Sequence, residues 1–107
     1  MTKLIQIVPR TEFRLFGGMV KKEIELNRKG QGTFFRSGPK ARNKAKWSHV
    51  KYKGWINLQR GTGEVVTAEV RSLSHAGDDW QLLQAFVGWL DRHFGDRILS
   101  LNVQYQK

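Results

Sequence analysis

The chain predicts a small α+β protein of one domain, with a strongly twisted antiparallel sheet of about five or six strands, one C-terminal helix and a last strand. Three observations predict it. At 107 residues there is room for one modest core. Short segments of alternating apolar and polar residues recur along most of the chain, the period of half-buried strands. Only one long stretch, residues 78–94, repeats its apolar residues at the 3.6 period of a helix. A hydrophobic fraction of 39% is that of a globular chain, and no internal repeat or second domain is visible.

Taken in order, residues 3–8 predict a short strand, apolar enough at Leu4, Ile5, Ile7 and Val8 to be buried on both faces, with Pro9 ending it or marking an edge. Phe13, Leu15 and Phe16 form a short apolar segment of undefined type, and Gly17-Gly18 reads as a turn. Val20, Ile24 and Leu26 then alternate with Lys21, Glu23 and Glu25, interrupted by Lys22, which predicts a second strand. Asn27 to Gly32 is a loop, and Thr33 to Arg36 another short strand. Residues 37–46 contain four basic residues and no large apolar one, so an exposed basic loop is expected there.

Residues 47–59 read as one long strand. Val50, Tyr52, Ile56 and Leu58 fall on the core face; Trp47, His49, Lys51, Lys53, Trp55 and Asn57 fall on the other. Arg60-Gly61-Thr62-Gly63 reads as a hairpin connection into a strand from Glu64 to Leu73. The helix follows. Asp78 with Gln81 has the spacing of a capping box, and Asp79 in the first turn suits the positive end of the helix dipole. Trp80, Leu83, Phe86, Val87, Leu90 and Phe94 form its apolar stripe, with Leu82 and Trp89 off centre, and Gly95 suits a left-handed residue past its end. Ile98 to Tyr105 is the last strand, with Leu99, Leu101, Val103 and Tyr105 on one face. A single helix covers only part of such a sheet. The sheet therefore either curls round the helix as a partial barrel or leaves a face for another subunit.

The functional signal is charge. The formal net charge is +10, but residues 64–107 carry four basic against six acidic residues, so the positive excess belongs entirely to residues 1–63. Between Leu26 and Gly63 there are ten Lys or Arg and no Asp or Glu. Such asymmetry points to a polyanion partner or to self-association. Lysines and arginines neutralise phosphates, and interleaved aromatics stack on bases. The leading reading is a non-enzymatic nucleic-acid-binding protein. Arg36, Arg42, Lys44, Lys46, Lys51 and Lys53 would contact phosphates, Trp47 and Trp55 would contact bases, and His49 lies in the same outward row.

A second reading is a protein-interaction module, such as an inhibitor or immunity-type partner of an acidic protein or a self-associating chain, with the aromatic row as the contact. A third is a small ribonuclease using His49, His75 or His93, with Ser74, Asp78 and Asp79 near His75. Capping roles already account for His93 and the aspartates, and no catalytic set, metal-ligand spacing or cofactor motif stands out. The glycine pairs Gly30/Gly32 and Gly61/Gly63 lead into no helix and carry no lysine, so they read as turns rather than phosphate loops. The chain has no cysteine, which suits a reducing compartment. It shows neither a signal peptide nor an 18-residue apolar run, so a cytoplasmic protein with no membrane partner is expected. No signature string of an RNA-recognition module, a single-strand-binding sheet or a ribonuclease toxin is present.

Overall fold

The computed structural model describes residues 2–11, 13–73 and 77–106. Six strands form one open, fully antiparallel sheet, and two helices pack on one of its faces. The elements in chain order are β1 (Thr2–Pro9), α1 (Leu15–Arg28), β2 (Phe34–Arg36), β3 (Lys44–His49), β4 (Trp55–Arg60), β5 (Val66–Arg71), α2 (Asp78–Phe94) and β6 (Ile98–Gln106). Their order across the sheet is β2-β3-β4-β5-β1-β6. The first strand thus lies inside the sheet, between β5 and β6, while β2 and β6 are the two free edges.

One face of each inner strand supplies the core. Ile5 and Ile7 of β1 lie opposite Ala68 and Val66 of β5, and Ile56 and Leu58 of β4 lie opposite Val70 and Ala68. All are buried. β1 is fully buried on this face only, since Gln6 on the other is exposed, and its register against β6 shifts between Val8 and Pro9. Leu82, Leu83, Phe86, Trp89 and Leu90 of α2 and Leu15, Phe16 and Met19 of α1 complete the core. At its centre Phe34, Trp47, Phe86 and Trp89 meet mainly edge to face; the Trp47–Trp89 centroids are 5.1 Å apart. That is the arrangement ring quadrupoles favour.

Residues 20–26 are the first correction. They belong to α1, not to a strand. Leu15, Met19, Glu23 and Leu26 recur at helical spacing, and all but Leu26, which is partly buried, are buried. Lys22–Glu25 and Glu25–Lys29 pairs, at 3.6 and 3.5 Å, link successive turns. Gly17 and Gly18 are helical, and Gly18 has a packing reason. A Cβ there would lie 3.3 Å from the Phe94 ring and 3.4 Å from that of Phe13. The fold therefore has two helices, and the second adds the cover that a one-helix reading lacked.

Residues 47–59 are the second correction. The chain turns back at residues 50–54, separating β3 from β4. Gly54 adopts φ +108°, and a Cβ there would lie 2.2 Å from the Arg71 carbonyl oxygen. Only glycine fits this conformation and this close approach. Val50, expected in the core, sits in the turn and is 64% exposed.

The β4–β5 hairpin and β6 lie where alternation puts them. The N-terminus of α2 differs in detail. Gly77, in the left-handed region, occupies the cap position, so Asp78 is the first helical residue rather than the cap. Its buried face is centred on Leu82, Phe86 and Trp89, leaving Trp80 exposed. Gly95 remains in the right-handed region.

Candidate nucleic-acid interface

Residues 37–43 connect β2 to β3 and lie alongside α1. Between them runs a groove in two lobes of about 1060 and 660 Å³. Val20, Ile24 and Ala41 line both lobes. From α1 and the residues that flank it, Arg14, Lys21, Arg28 and Lys29 reach the groove; from the opposite side come Arg36, Lys40, Arg42, Lys44 and Arg60. Every one of these belongs to the basic first 63 residues.

Three carboxylates also line it, and each is engaged. Glu25 is held between Lys22 and Lys29, whose charges keep its pKa below the usual glutamate value. Glu64 binds the Arg60 guanidinium. Buried Glu23 accepts a 2.8 Å hydrogen bond from the Asn27 amide. Among the described residues Arg14, Lys21, Arg28, Arg36, Lys40, Arg42 and Lys44 form no ion pair. Seven cations with no ion-pair partner among the described residues outnumber the one carboxylate, Glu23, that also lacks one, and give the groove a positive local potential, which a concave surface concentrates.

Asn27 holds the geometry. Its amide also donates to the Phe34 carbonyl oxygen at 2.9 Å, tying the last turn of α1 to edge strand β2. Gly32 stands against this side chain, and a Cβ there would lie 2.1 Å from Asn27 Oδ1. The tie fixes the separation of Arg28 from Arg36 across the groove.

The structure divides the residues expected to form one outward row. Trp47 is 1% exposed and points into the core, so it has no face to offer a base. Its reassignment follows from the turn: Trp47 and Ile56 are opposite one another on the helix-covered side. His49 lies on that side too, stacked on Tyr52 at 4.9 Å and edge-on to Phe34 at 4.8 Å. Its Nδ1 accepts hydrogen bonds from the backbone N–H groups of Lys51 and Tyr52, at 3.0 and 3.2 Å. Burial, with help from Lys51, lowers its pKa below the usual histidine value. His49 is therefore the structural pin of the 50–54 turn. Lys51 and Lys53 sit in that turn, at the far end of β3 from Lys44, about 17 Å away at the rise of a strand.

Trp55 keeps its place on the uncovered face of the sheet. It is half-buried, lies opposite Arg71, and carries Lys46 Nζ 5.1 Å above its ring. Lys44 links this face to the groove, because it lines both the second lobe and a hollow on the open face formed with Pro39, Asn57 and Thr67. Of the expected set, the structure thus brings together Arg36, Arg42 and Lys44 in the groove and Lys46 with Trp55 beside it. Arg14, Lys21, Arg28, Lys29, Lys40 and Arg60 join them. The sequence signal for the α1 cations was present, but the strand assignment dispersed it.

Of the histidines considered for catalysis, His49 and His93 lie outside the groove; His93 packs on Trp89 at 5.0 Å, and burial lowers its pKa. Ser74 and His75 lie outside the described residues. Among the described residues no cluster of three or more His, Asp or Glu is placed to hold a metal ion, and no helix is long and apolar enough to cross a membrane.

No protein-family model matches the chain, and neither a curated protein nor a solved structure matches it.

Proposed function

We propose that the protein binds nucleic acid through its phosphate backbone, in the groove between α1 and residues 36–46. The observation that carries this reading is the set of seven lysines and arginines that line one groove and form no ion pair among the described residues. A polyanion satisfies such a set, and release of its counterions supplies the affinity. Phosphate contacts position a strand without reading it, so the binding is sequence-independent. Trp55, with Lys46 over its ring, adds a single aromatic surface on the open face that Lys44 connects to the groove.

Fluorescence anisotropy with short single- and double-stranded oligonucleotides tests the proposal. If about five phosphates are engaged, affinity falls on the order of 10²–10³-fold between ~50 and ~200 mM salt. Absence of binding to either form at low salt removes the reading.

The same groove offers a second reading, an acidic protein segment. Ile24 is an exposed apolar side chain on a basic wall, and it suits a peptide with both apolar and acidic residues. Capture of an acidic protein in preference to oligonucleotides of equal charge would favour it.

A further inference from the structure

We infer that the free edge of β6 is a self-pairing surface, through which two copies of this chain join into a twofold dimer with one continuous twelve-stranded sheet. This does not depend on what fills the basic groove.

The first observation is the strand itself. Ile98–Gln106 is nine residues long and contains no Asp, Glu, Lys, Arg, His or Pro. These are the residues by which exposed edges are normally kept from pairing. The second is its unfinished burial. Leu101 and Val103 lie opposite Ile7 and Ile5, on the side that α2 covers elsewhere, yet both remain exposed. With Trp80, Leu83 and Val87 of α2 they line a groove of about 620 Å³. Leu99 and Tyr105 are more exposed still, at 60% and 71%.

The third observation identifies the occupant as a second copy. An antiparallel pairing of β6 with itself about Asn102 overlaps the whole strand. It sets Leu101 against Val103 and Leu99 against Tyr105 of the other copy. Ser100 then meets Gln104, and Asn102 meets itself. Over residues 99–105, apolar side chains thus face apolar ones and uncharged polar side chains face polar ones, with no like charges juxtaposed, as an isologous interface requires. The antiparallel sense continues that of every other pair in the sheet.

Charge selects the same edge. A protein of net charge +10 resists self-association wherever its basic surfaces meet. Edge β2 adjoins the basic groove. β6 lies five strand spacings away, about 24 Å, within the part of the chain whose net charge is slightly negative. Pairing at β6 places the two basic grooves at opposite ends of the joined sheet.

Sedimentation equilibrium of nucleic-acid-free protein, over about 5–200 µM at ~0.3 M salt, tests this. The expected mass is twice that of the 12.4 kDa chain. Val103→Lys, and separately Leu99→Lys at the more exposed position, should give monomers with an unchanged far-UV circular dichroism spectrum. Lys46→Ala, on the open face, should remain dimeric. A wild-type chain that is monomeric throughout this range overturns the inference. So does a dimer that survives both lysine variants.

Discussion

Lys3 of β1 and Asp79 of α2, 76 residues apart, form a buried ion pair with Nζ 2.7 Å from Oδ2. The ammonium also lies 5.2 Å from the Tyr105 ring and 5.8 Å from that of Trp80. One contact therefore anchors the first turn of α2 to β1 and to β6. A buried ion pair adds little net stability against an apolar replacement, but removing one partner strands a charge. Asp79→Ala should destabilise the protein by about 3–5 kcal/mol in urea unfolding. The double variant Lys3→Met/Asp79→Leu should recover most of that loss. Equal destabilisation by the single and double variants would show that the pair's charges are not what holds α2.

Trp47 and Trp55 should separate cleanly by their effects. Trp47→Ala opens a cavity among Phe34, Phe86 and Trp89, and should cost about 3–5 kcal/mol. Trp55→Ala should cost far less stability and should reduce oligonucleotide affinity by about 1–3 kcal/mol if the ring stacks on a base. Trp47→Phe, if folded, should bind oligonucleotides as the wild type does.

The basic groove and the 50–54 turn make opposite predictions for charge reversal. Arg28→Glu or Lys40→Glu should each weaken oligonucleotide binding roughly 10-fold or more and shallow the salt slope by about one. Lys51→Glu and Lys53→Glu, at the other end of the strands, should change neither appreciably. Equal effects from both pairs would mean that net charge, not the groove, governs binding.

His49 gives the fold a pH dependence of definite sign. Its Nδ1 must be unprotonated to accept from Lys51 and Tyr52, and burial keeps its folded-state pKa below the unfolded value. The unfolded chain therefore binds the proton more readily. This contribution to stability is fully present above the ordinary histidine pKa and is lost as pH falls through the folded value. His93, lowered first by burial and then by Lys22 and Arg92, acts in the same direction. Unfolding free energy should decline from about pH 7.5 to about pH 5, less steeply in His49→Ala. Histidine NMR titration should place His49 below the free-histidine value; a normal or raised value would contradict the turn geometry.

Gly54→Ala should destabilise by about 1–3 kcal/mol or more, since φ +108° is strained for any side chain and the Arg71 carbonyl occupies the Cβ position. Chemical denaturation checks it. Gly17→Ala, in a helical position with open space around the Cβ, should be neutral or stabilising.

Much of the fold was legible in sequence because one periodicity stood alone in each segment. Ile5 and Ile7, Val66 to Val70 and the Leu83–Phe86–Leu90 spacing each match only one kind of element. Residues 20–26 match two. Val20, Ile24 and Leu26 alternate locally, and the helical partners that break the tie, Leu15, Phe16 and Met19, lie across a Gly-Gly pair that resembles a turn. In residues 47–59 the alternation of side-chain polarity continues unbroken through a reversal of the backbone. Gly54 was the local mark of that reversal, and the need for its positive φ arises from the Arg71 carbonyl, which only the folded sheet brings near.

The candidate interface divides in the same way. Its charge was visible: ten Lys or Arg and no acid between Leu26 and Gly63, beside a slightly acidic second half. Arg36, Arg42 and Lys44 were found from it. Charge, alternation and the helix pattern are properties of neighbouring residues, so the sequence determined the α+β class, the α2 stripe and the basic character of the surface. The tertiary structure decided that Trp47 is core, that His49 pins a turn, and that Arg14, Lys21 and Arg28 face Lys40 and Arg42 across one groove. Those outcomes depend on contacts such as Asn27 to Phe34 and Gly18 to Phe94, which join segments whose mutual placement no local pattern encodes.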